Sequence, residues 1–520
     1  MSGSSSKDAV TVPSEARNRL SLVGILVAAV VLRGVLCVHG GQFYSGDETI
    51  HFTPGLAAAG TLIGGHWHDH WPAAARDLLA QQHHIGFRLW SFLVALAGFG
   101  LRGNAVYREQ WVFAWILSLS SVAVIGLVDL LARRSGADQE EATAAACFAA
   151  GSTALTMYAR HLHPYDTGLA LDLLALWIGL RPGGLGRAFA VGLIAATGFL
   201  TYYAYLSVAV LAGALHLTRG TRRGQRAVLA GLGAAIPFLL AEGMSIVGTA
   251  VYFPGREPYH VALLRLLRGA PESWGSSYAE GWWVPWAYLW HAEHLLVLTW
   301  LALIVVGWRE HRVWFWGGAA IGLYGWLAVH STLLHEAVVL GRFARQIVPF
   351  LCLAAAAGYR GLRVRAPIKV LACALLTIAV AMNFTPLLTQ RFPPQVRHDW
   401  AERYGPLAFD GTIEGPHGAQ GDVTSAYVAL NVEPMLMTWP VKGVRDVAIA
   451  GHLVESYPHP LAWPALQYEG YTAEAREALR SKPFRMELWQ KDQPPEQATL
   501  PTAGHPSSSS TSSGSSALSR

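Results

Sequence analysis

Long apolar runs separated by short polar linkers fill most of the chain. The runs lie at 20–39, 111–132, 141–157, 165–180, 188–218, 227–250, 286–308, 313–331, 343–359 and 367–385. A membrane-crossing helix needs about 17–25 such residues, so most of these runs are predicted to cross once. The run 188–218 is different, because arginines stand at both of its ends (Arg187 and Arg219) and the chain must go out and return within it. As helix it reaches roughly 46 Å, whereas two full crossings of a ~30 Å hydrocarbon core need ~60 Å. The pair is therefore predicted to be short or broken near Thr201-Tyr202-Tyr203-Ala204-Tyr205. Broken helices at membrane depth are tolerated only where they pack in protein or line a cavity. The run 83–101 is also apolar, but a crossing there would put Arg133 and Arg134 outside and invert every later linker. It is predicted to be an interfacial helix on the outer surface. Residues 387–500 have ordinary polarity, the turn pair Pro393-Pro394 and a short alternating stretch, Val423–Val432. The fold class expected is an all-α polytopic membrane protein of about eleven transmembrane helices, with a small C-terminal soluble α+β domain.

Charge gives the runs a direction. With residues 1–19 placed inside as a cytoplasmic tail, the inner linkers 133–140, 181–187, 219–226, 309–312 and 360–365 carry 13 arginines in 33 residues. The outer loops 40–110, 158–166, 251–285 and 332–342 carry nine in 126. That asymmetry is the positive-inside pattern. It accounts for the net charge of +5 without a nucleic-acid partner. The division is then a membrane domain over 20–385 with its first outer loop at 40–110, an extracytoplasmic domain at 386–500, and a Ser-rich, disordered tail at 501–520. Composition agrees: 14% of residues are charged, against about 25% in soluble domains, and mean hydropathy is +0.30. Cys37, Cys147, Cys352 and Cys373 each lie in an apolar run and none forms a CxxC pair, which excludes zinc-ribbon and redox motifs. The first run has no clean small-residue cleavage site after it and is expected to stay as an uncleaved helix.

The topology gathers the polar chemistry on one side. Of 16 histidines before residue 386, only His216 and His311 fall at the inner side. The first outer loop opens with Tyr44-Ser45-Gly46-Asp47-Glu48-Thr49-Ile50-His51. Adjacent carboxylates just outside a span are costly to bury; they suit a general base with a neighbouring acid, a metal-ligand pair, or a solvated helix cap. The loop continues with His66-Trp67-His68-Asp69-His70 and His83-His84. Alternate histidines in an extended loop could bind a divalent metal at His66, His68 and His70, or form an aromatic interfacial loop. The second outer loop is Tyr158-Ala159-Arg160-His161-Leu162-His163-Pro164-Tyr165-Asp166. Arg160 offers a guanidinium fork for phosphate, and Asp166 stands where a helix N-cap would. Arg342 and Arg345 share a helix face at the start of the run 343–359, as an anion site or as a snorkelling pair. The loop 251–285 is aromatic, and its middle, His260–Arg268, suits a surface helix.

Taken in order, these features resemble a family. They are an uncleaved first helix, an outer Asp47-Glu48, an outer interfacial helix, and a helix with Arg108 at its outer start and Arg133-Arg134 at its inner end. The 158–166 motif, the split pair and the stretch GRFARQIVPFLCLAAAAGY at 341–359 complete the series. Residues 20–385 resemble GT-C fold glycosyltransferases that use polyprenyl-phosphate sugars, similar to protein mannosyltransferases and the lipid A aminoarabinose transferase. The resemblance implies Asp47 as the catalytic base, with Glu48 beside it. It implies outer arginines holding the lipid phosphate, Arg108 and one of Arg342 and Arg345, and it matches Asp166 to an acidic residue after the third helix. His51 and Arg160 join the substrate-binding candidates. The family's proline-containing approach to the interfacial helix is replaced here by Gln82-His83-His84-Ile85.

The expected function is transfer of a sugar from a polyprenyl-phosphate donor to a hydroxyl of a glycan, lipid or protein acceptor. The reaction would invert, at the outer face of a bacterial inner membrane, with no cofactor required. A transporter or flippase is the alternative. It predicts inverted repeats and mid-membrane charges, whereas no repeat is evident and the embedded charges Arg33, Asp129, Asp172 and Glu242 are scattered. A metal-dependent membrane enzyme or sensor built on the histidine loop is a third reading.

Overall fold

The structure is a computed structural model. It describes residues 14–40, 46–65, 78–79, 84–107, 111–181, 184–219, 221–252, 258–267, 281–335, 339–360, 366–389, 393–405, 407–411, 420–421, 426–432, 451–458 and 485–492, with single positions 362, 468 and 477. The helices are α1 Ser14–Gly40, α2 Gly46–Ile63, α3 Ile85–Arg102, α4 Trp111–Arg134, α5 Gln139–Ala150, α6 Thr153–Thr156, α7 Tyr165–Gly179, α8 Leu185–Thr201 and α9 Leu206–Thr218. They continue with α10 Arg223–Tyr252, α11 Tyr259–Leu267, α12 Val284–Glu293, α13 Leu295–Val306, α14 His311–Ala328, α15 Val348–Arg360, α16 Ala366–Thr389 and α17 Pro393–Tyr404.

Against the expected eleven or so spans, four helical segments among the described residues are long and apolar enough to cross a membrane. They are Ser21–Val38, Ile85–Ala105, Trp111–Arg134 and Arg223–Gly248, with a fifth if the bent pair α12–α13 counts as one. Several of the apolar runs are interrupted among the described residues. The run 141–157 stops at Gly151 and restarts as the one-turn α6, and the run 286–308 bends by 109° at His294. The run 343–359 opens as a 3₁₀ turn, Gly341–Ile347. The run 188–218 breaks at Tyr202, whose extended backbone separates α8 from a 3₁₀ turn at Tyr203–Tyr205 and then α9, at the position its length required.

The first outer loop is also more structured than a loop. Its Ala- and Gly-rich stretch forms α2, which packs along α3. At Gly55 any side chain would collide with Ser91 and the backbone of α3, and a Cβ at Gly86 would come within 2.9 Å of the backbone at Leu200 and Thr201. Those close approaches fix α2 and α3 against the end of α8. The segment expected to lie on the outer surface, α3, is one of the four long enough to cross.

Most embedded charges find local partners. Asp129 pairs with Arg133 one turn on, at 2.6 Å. Glu242 accepts hydrogen bonds from the His260 backbone N–H at 2.8 Å and bonds its ring Nδ1 at 2.9 Å, tethering α11 to α10. The Asp172 carboxyl is buried in α7 and makes no hydrogen bond among the described residues.

Beyond α16, the described residues form α17 and a five-stranded sheet of order β2-β1-β3-β5-β4. The strands are β1 Leu407–Gly411, β2 Gln420–Gly421, β3 Tyr427–Val432, β4 Gly451–Pro458 and β5 Arg485–Lys491. The pair β1–β3 is parallel and the other pairs are antiparallel. A core of Val396, Trp400, Leu407, Ala429, Met486 and Leu488 joins helix to sheet. Glu455 staples them by accepting from Trp400 Nε1 (2.7 Å), Tyr404 Oη (2.5 Å) and Arg403 Nη1 (2.9 Å).

Candidate active site

Two broken helices meet at the candidate site. In the first, the Ser152 hydroxyl accepts the Leu155 N–H at 3.2 Å and starts α6, after which a 3₁₀ turn, Met157–Arg160, leads to an extended His161. Arg345 is fully buried against this segment. Its Nε donates to the Ala154 carbonyl at 2.7 Å and its Nη2 to the Leu155 carbonyl at 3.5 Å, and Nη2 also forms an ion pair with Asp166. A buried guanidinium is tolerable only with such compensation. Arg33, buried in α1, donates to Thr156 Oγ1 at 3.3 Å, to the Ala29 carbonyl at 3.2 Å and to Ser121 Oγ. Arg160 is buried as well, and its Nη1 donates to the Leu387 carbonyl of α16 at 2.9 Å.

The second break supplies rings. The His51 ring, one turn into α2, meets His84 edge-on with centroids 4.8 Å apart, and His84 stacks on Tyr203 at 4.7 Å. Tyr202 touches both His84 (5.1 Å) and Tyr165 (4.8 Å). From Tyr165 a column continues through His163 (4.8 Å) to His161 (5.5 Å). Two cations close on this wall. The Arg342 guanidinium lies 5.5 Å from the Tyr165 ring centre, and that of Arg345 lies 4.8 Å from Tyr158. Burial holds the His163 imidazole well below its ordinary pKa, reinforced by His161, His51, Arg342 and His84. It is therefore a neutral ring at neutral pH. His84 has φ 51, in the left-handed region that costs a non-glycine residue roughly 1–2 kcal/mol. Such strain persists where surrounding packing enforces it, often at functional sites; here the packing is the contact with Tyr203 and His51.

No family model matches the chain, and no curated protein sequence matches it. In fold it is similar to ArnT from Cupriavidus metallidurans in the apo state, with a TM-score of 0.46, 15% identity, and 75% of this chain and 70% of that chain covered. It is likewise similar to ArnT from the same organism bound to undecaprenyl phosphate, with the same TM-score and identity and 74% and 68% covered.

Of the residues predicted from sequence, His51, Asp166, Arg342 and Arg345 come together in this one cluster. Asp47 and Glu48 fall in the first turn of α2 rather than in a loop, with position 47 one helical turn before His51; their side chains lie outside the described residues. Arg108 and the trio His66, His68 and His70 also lie outside them. Arg160 donates from Nη1 to the Leu387 carbonyl of α16. The two late arginines, paired by spacing alone, differ in situation. Arg345 is committed to Asp166 and α6, while Arg342 is only partly buried and covers Tyr165. His84, His161, His163, Tyr165 and Tyr202 are not among the site residues that the sequence predicts. Their available signal was polar and aromatic residues concentrated at the predicted break at 201–205, in the segment 158–166 and at the approach to the run 83–101. Among the described residues, no group of three or more His, Cys, Asp or Glu side chains is placed to hold a metal ion.

Proposed function

We propose that this chain is a membrane glycosyltransferase that moves a sugar from a polyprenyl-phosphate donor to an acceptor hydroxyl. The observation that carries the reading is the convergence of Arg342 and the Arg345–Asp166 pair on a histidine and tyrosine wall. That wall includes His51, one turn beyond Asp47. Arginine suits a phosphate diester because its planar fork matches the oxygens and stays charged. Aromatic and neutral imidazole rings offer a sugar faces and hydrogen-bonding edges without competing charge.

In this mechanism Asp47 takes the proton of the acceptor hydroxyl as its oxygen attacks the anomeric carbon, with Glu48 as the neighbouring acid. The bond from that carbon to the phosphate oxygen breaks on the opposite face, so the configuration inverts. The electron pair leaves on the phosphate, where Arg342 and Arg108 offset the developing charge. The arginine asymmetry of the linkers supports an extracytoplasmic site, and the membrane proposed is a bacterial inner membrane. The acceptor class is a glycan, a lipid or a protein. A divalent metal at His66, His68 and His70 is a separate proposal, checked by metal analysis of the purified protein with and without those side chains.

The decisive experiment measures sugar transfer from polyprenyl-phosphate donors in proteoliposomes. Asp47→Asn is expected to lower the rate by about 10²–10⁴-fold while insertion and folding persist. Unchanged transfer in that variant removes Asp47 as base. Donor-independent substrate flux across the vesicle, without transfer, would instead favour the transporter reading.

A further inference from the structure

Glu293 is the last residue of α12, immediately before the bend of 109° at His294. His294 has φ 43, so the bend is made in left-handed backbone by a residue that carries a Cβ. Strain of that kind is kept only where the surroundings enforce it. The fully buried Glu293 carboxylate goes to α6: Oε1 accepts the Ser152 hydroxyl at 2.5 Å and the Ala154 N–H at 2.9 Å, and Oε2 accepts the Thr153 N–H at 3.0 Å. The Asn383 amide of α16 donates to the Glu293 backbone carbonyl at 3.0 Å, which anchors the bend from a third helix.

The Ala154 peptide therefore has both ends engaged by buried charges. Its N–H donates to Glu293, and its carbonyl accepts Arg345 Nε at 2.7 Å. Ser152 makes a second, longer link, since its hydroxyl bonds Glu293 and accepts the N–H of Leu155, whose carbonyl accepts Arg345 Nη2. Hydrogen bonds in such chains polarise and orient one another in a low-dielectric interior. Arg345 in turn holds Asp166, next to Tyr165 and the ring wall.

We propose that Glu293 is a positioning residue for Arg345, acting through the Ala154 peptide, and so holds the 158–166 segment in its ligand-facing shape. The ligand part of this inference rests on the glycosyltransferase reading above; the relay does not. Glu293 touches no reacting atom. Its task is to keep α6 and the Arg345–Asp166 clasp in one geometry, because displacements of about 1 Å at a binding site cost large factors in rate.

The test is a double-mutant cycle on the full-length protein in detergent, with undecaprenyl phosphate as the probe. Wild type, Glu293→Gln, Arg345→Gln and the double variant are compared for binding by native mass spectrometry and for hydrogen exchange of the peptide spanning 152–160. Each single variant is expected to weaken binding by about tenfold, the scale of one charged hydrogen bond. The double variant is expected to fall within about twofold of the weaker single, because the two residues act through one link. Exchange at 152–160 is expected to rise in the same non-additive way. Independent, multiplying effects, or a Glu293→Gln protein that binds and exchanges like wild type, overturn the proposal. A wild type that does not bind the lipid sinks the glycosyltransferase reading, and the exchange cycle then decides the relay by itself. Should Glu293→Gln fail to fold, Ser152→Ala removes one of the three donors and takes its place in the cycle. Its effect must vanish in the Arg345→Gln background, and persistence there counts against the relay.

Discussion

The two helix breaks that meet at the site are held by opposite means. At Gly151-Ser152 the peptide groups freed by the break are satisfied by buried side chains, namely Glu293 on the N–H side and Arg345 on the carbonyl side, with Arg33 on Thr156. At Tyr202 the break is filled by rings. Tyr202 packs on His84, Tyr165 and Tyr205, and a hydrogen bond between Ser207 and Gln346 ties the following helix to the 341–347 turn. Charges give the first break direction and a single geometry, at the cost of desolvation. Rings give the second a broad contact that tolerates small shifts. Under the glycosyltransferase reading proposed above, a donor phosphate exchanging contacts near Arg342 would need the first to stay fixed and permit the second to adjust.

That contrast can be broken most directly at Arg345. Arg345→Leu leaves Asp166 buried without its cation and is expected to cost about 3–5 kcal/mol, read as a large fall in Tm in detergent. Tyr202→Leu, which keeps bulk but loses the ring contacts, is expected to cost only about 1–2 kcal/mol. Equal losses, or the reverse order, would mean that the ring break carries as much of the fold as the charged one.

Acid titration sharpens the same comparison with a smaller effect. The folded His163 refuses a proton that the unfolded chain accepts near the ordinary imidazole pKa of about 6.5. Its contribution is complete above that pH and declines as pH falls below it. Tm measured from pH 8 to pH 5 should fall with acidification, and His163→Phe should flatten the slope. A wild-type Tm that climbs on acidification contradicts the neutral ring.

The smallest effect is expected away from both breaks. Hydrogen bonds from Tyr404, Trp400 and Arg403 hold the Glu455 carboxyl below its usual range. Its stabilising contribution is therefore present above the ordinary carboxylate value of about 4.3 and lost as pH falls through the lower folded value. This partly exposed staple is expected to contribute less than about 1 kcal/mol. Glu455→Gln should raise hydrogen exchange in β4 and β5 slightly and leave residues 152–160 unchanged.

The break at Tyr202 was legible in the sequence because geometry forced it: arginines stand at both ends of a run too short to cross twice. The break at Gly151 was not, since 141–157 has the length of an ordinary span and the group that stabilises the interruption is Glu293, 141 residues beyond Ser152. The four predicted residues that converge stood out because charged and imidazole side chains beside apolar runs are expensive. The ring wall did not stand out, because tyrosine beside a membrane is ordinary interfacial composition.

By itself, then, the sequence determined a chain of apolar helices, the clustering of its arginines in alternate linkers, the weak point at 201–205, and the polar segments from which a site would be drawn. Only the tertiary structure decided that Arg345 belongs to Asp166 and α6 while Arg342 covers Tyr165, that His84 is strained against Tyr203, and that Glu293 completes a helix on another part of the chain. The physical reason is that hydrophobic length and charge asymmetry are local quantities summed along the chain. Which buried donor meets which acceptor depends on packing between segments more than a hundred residues apart.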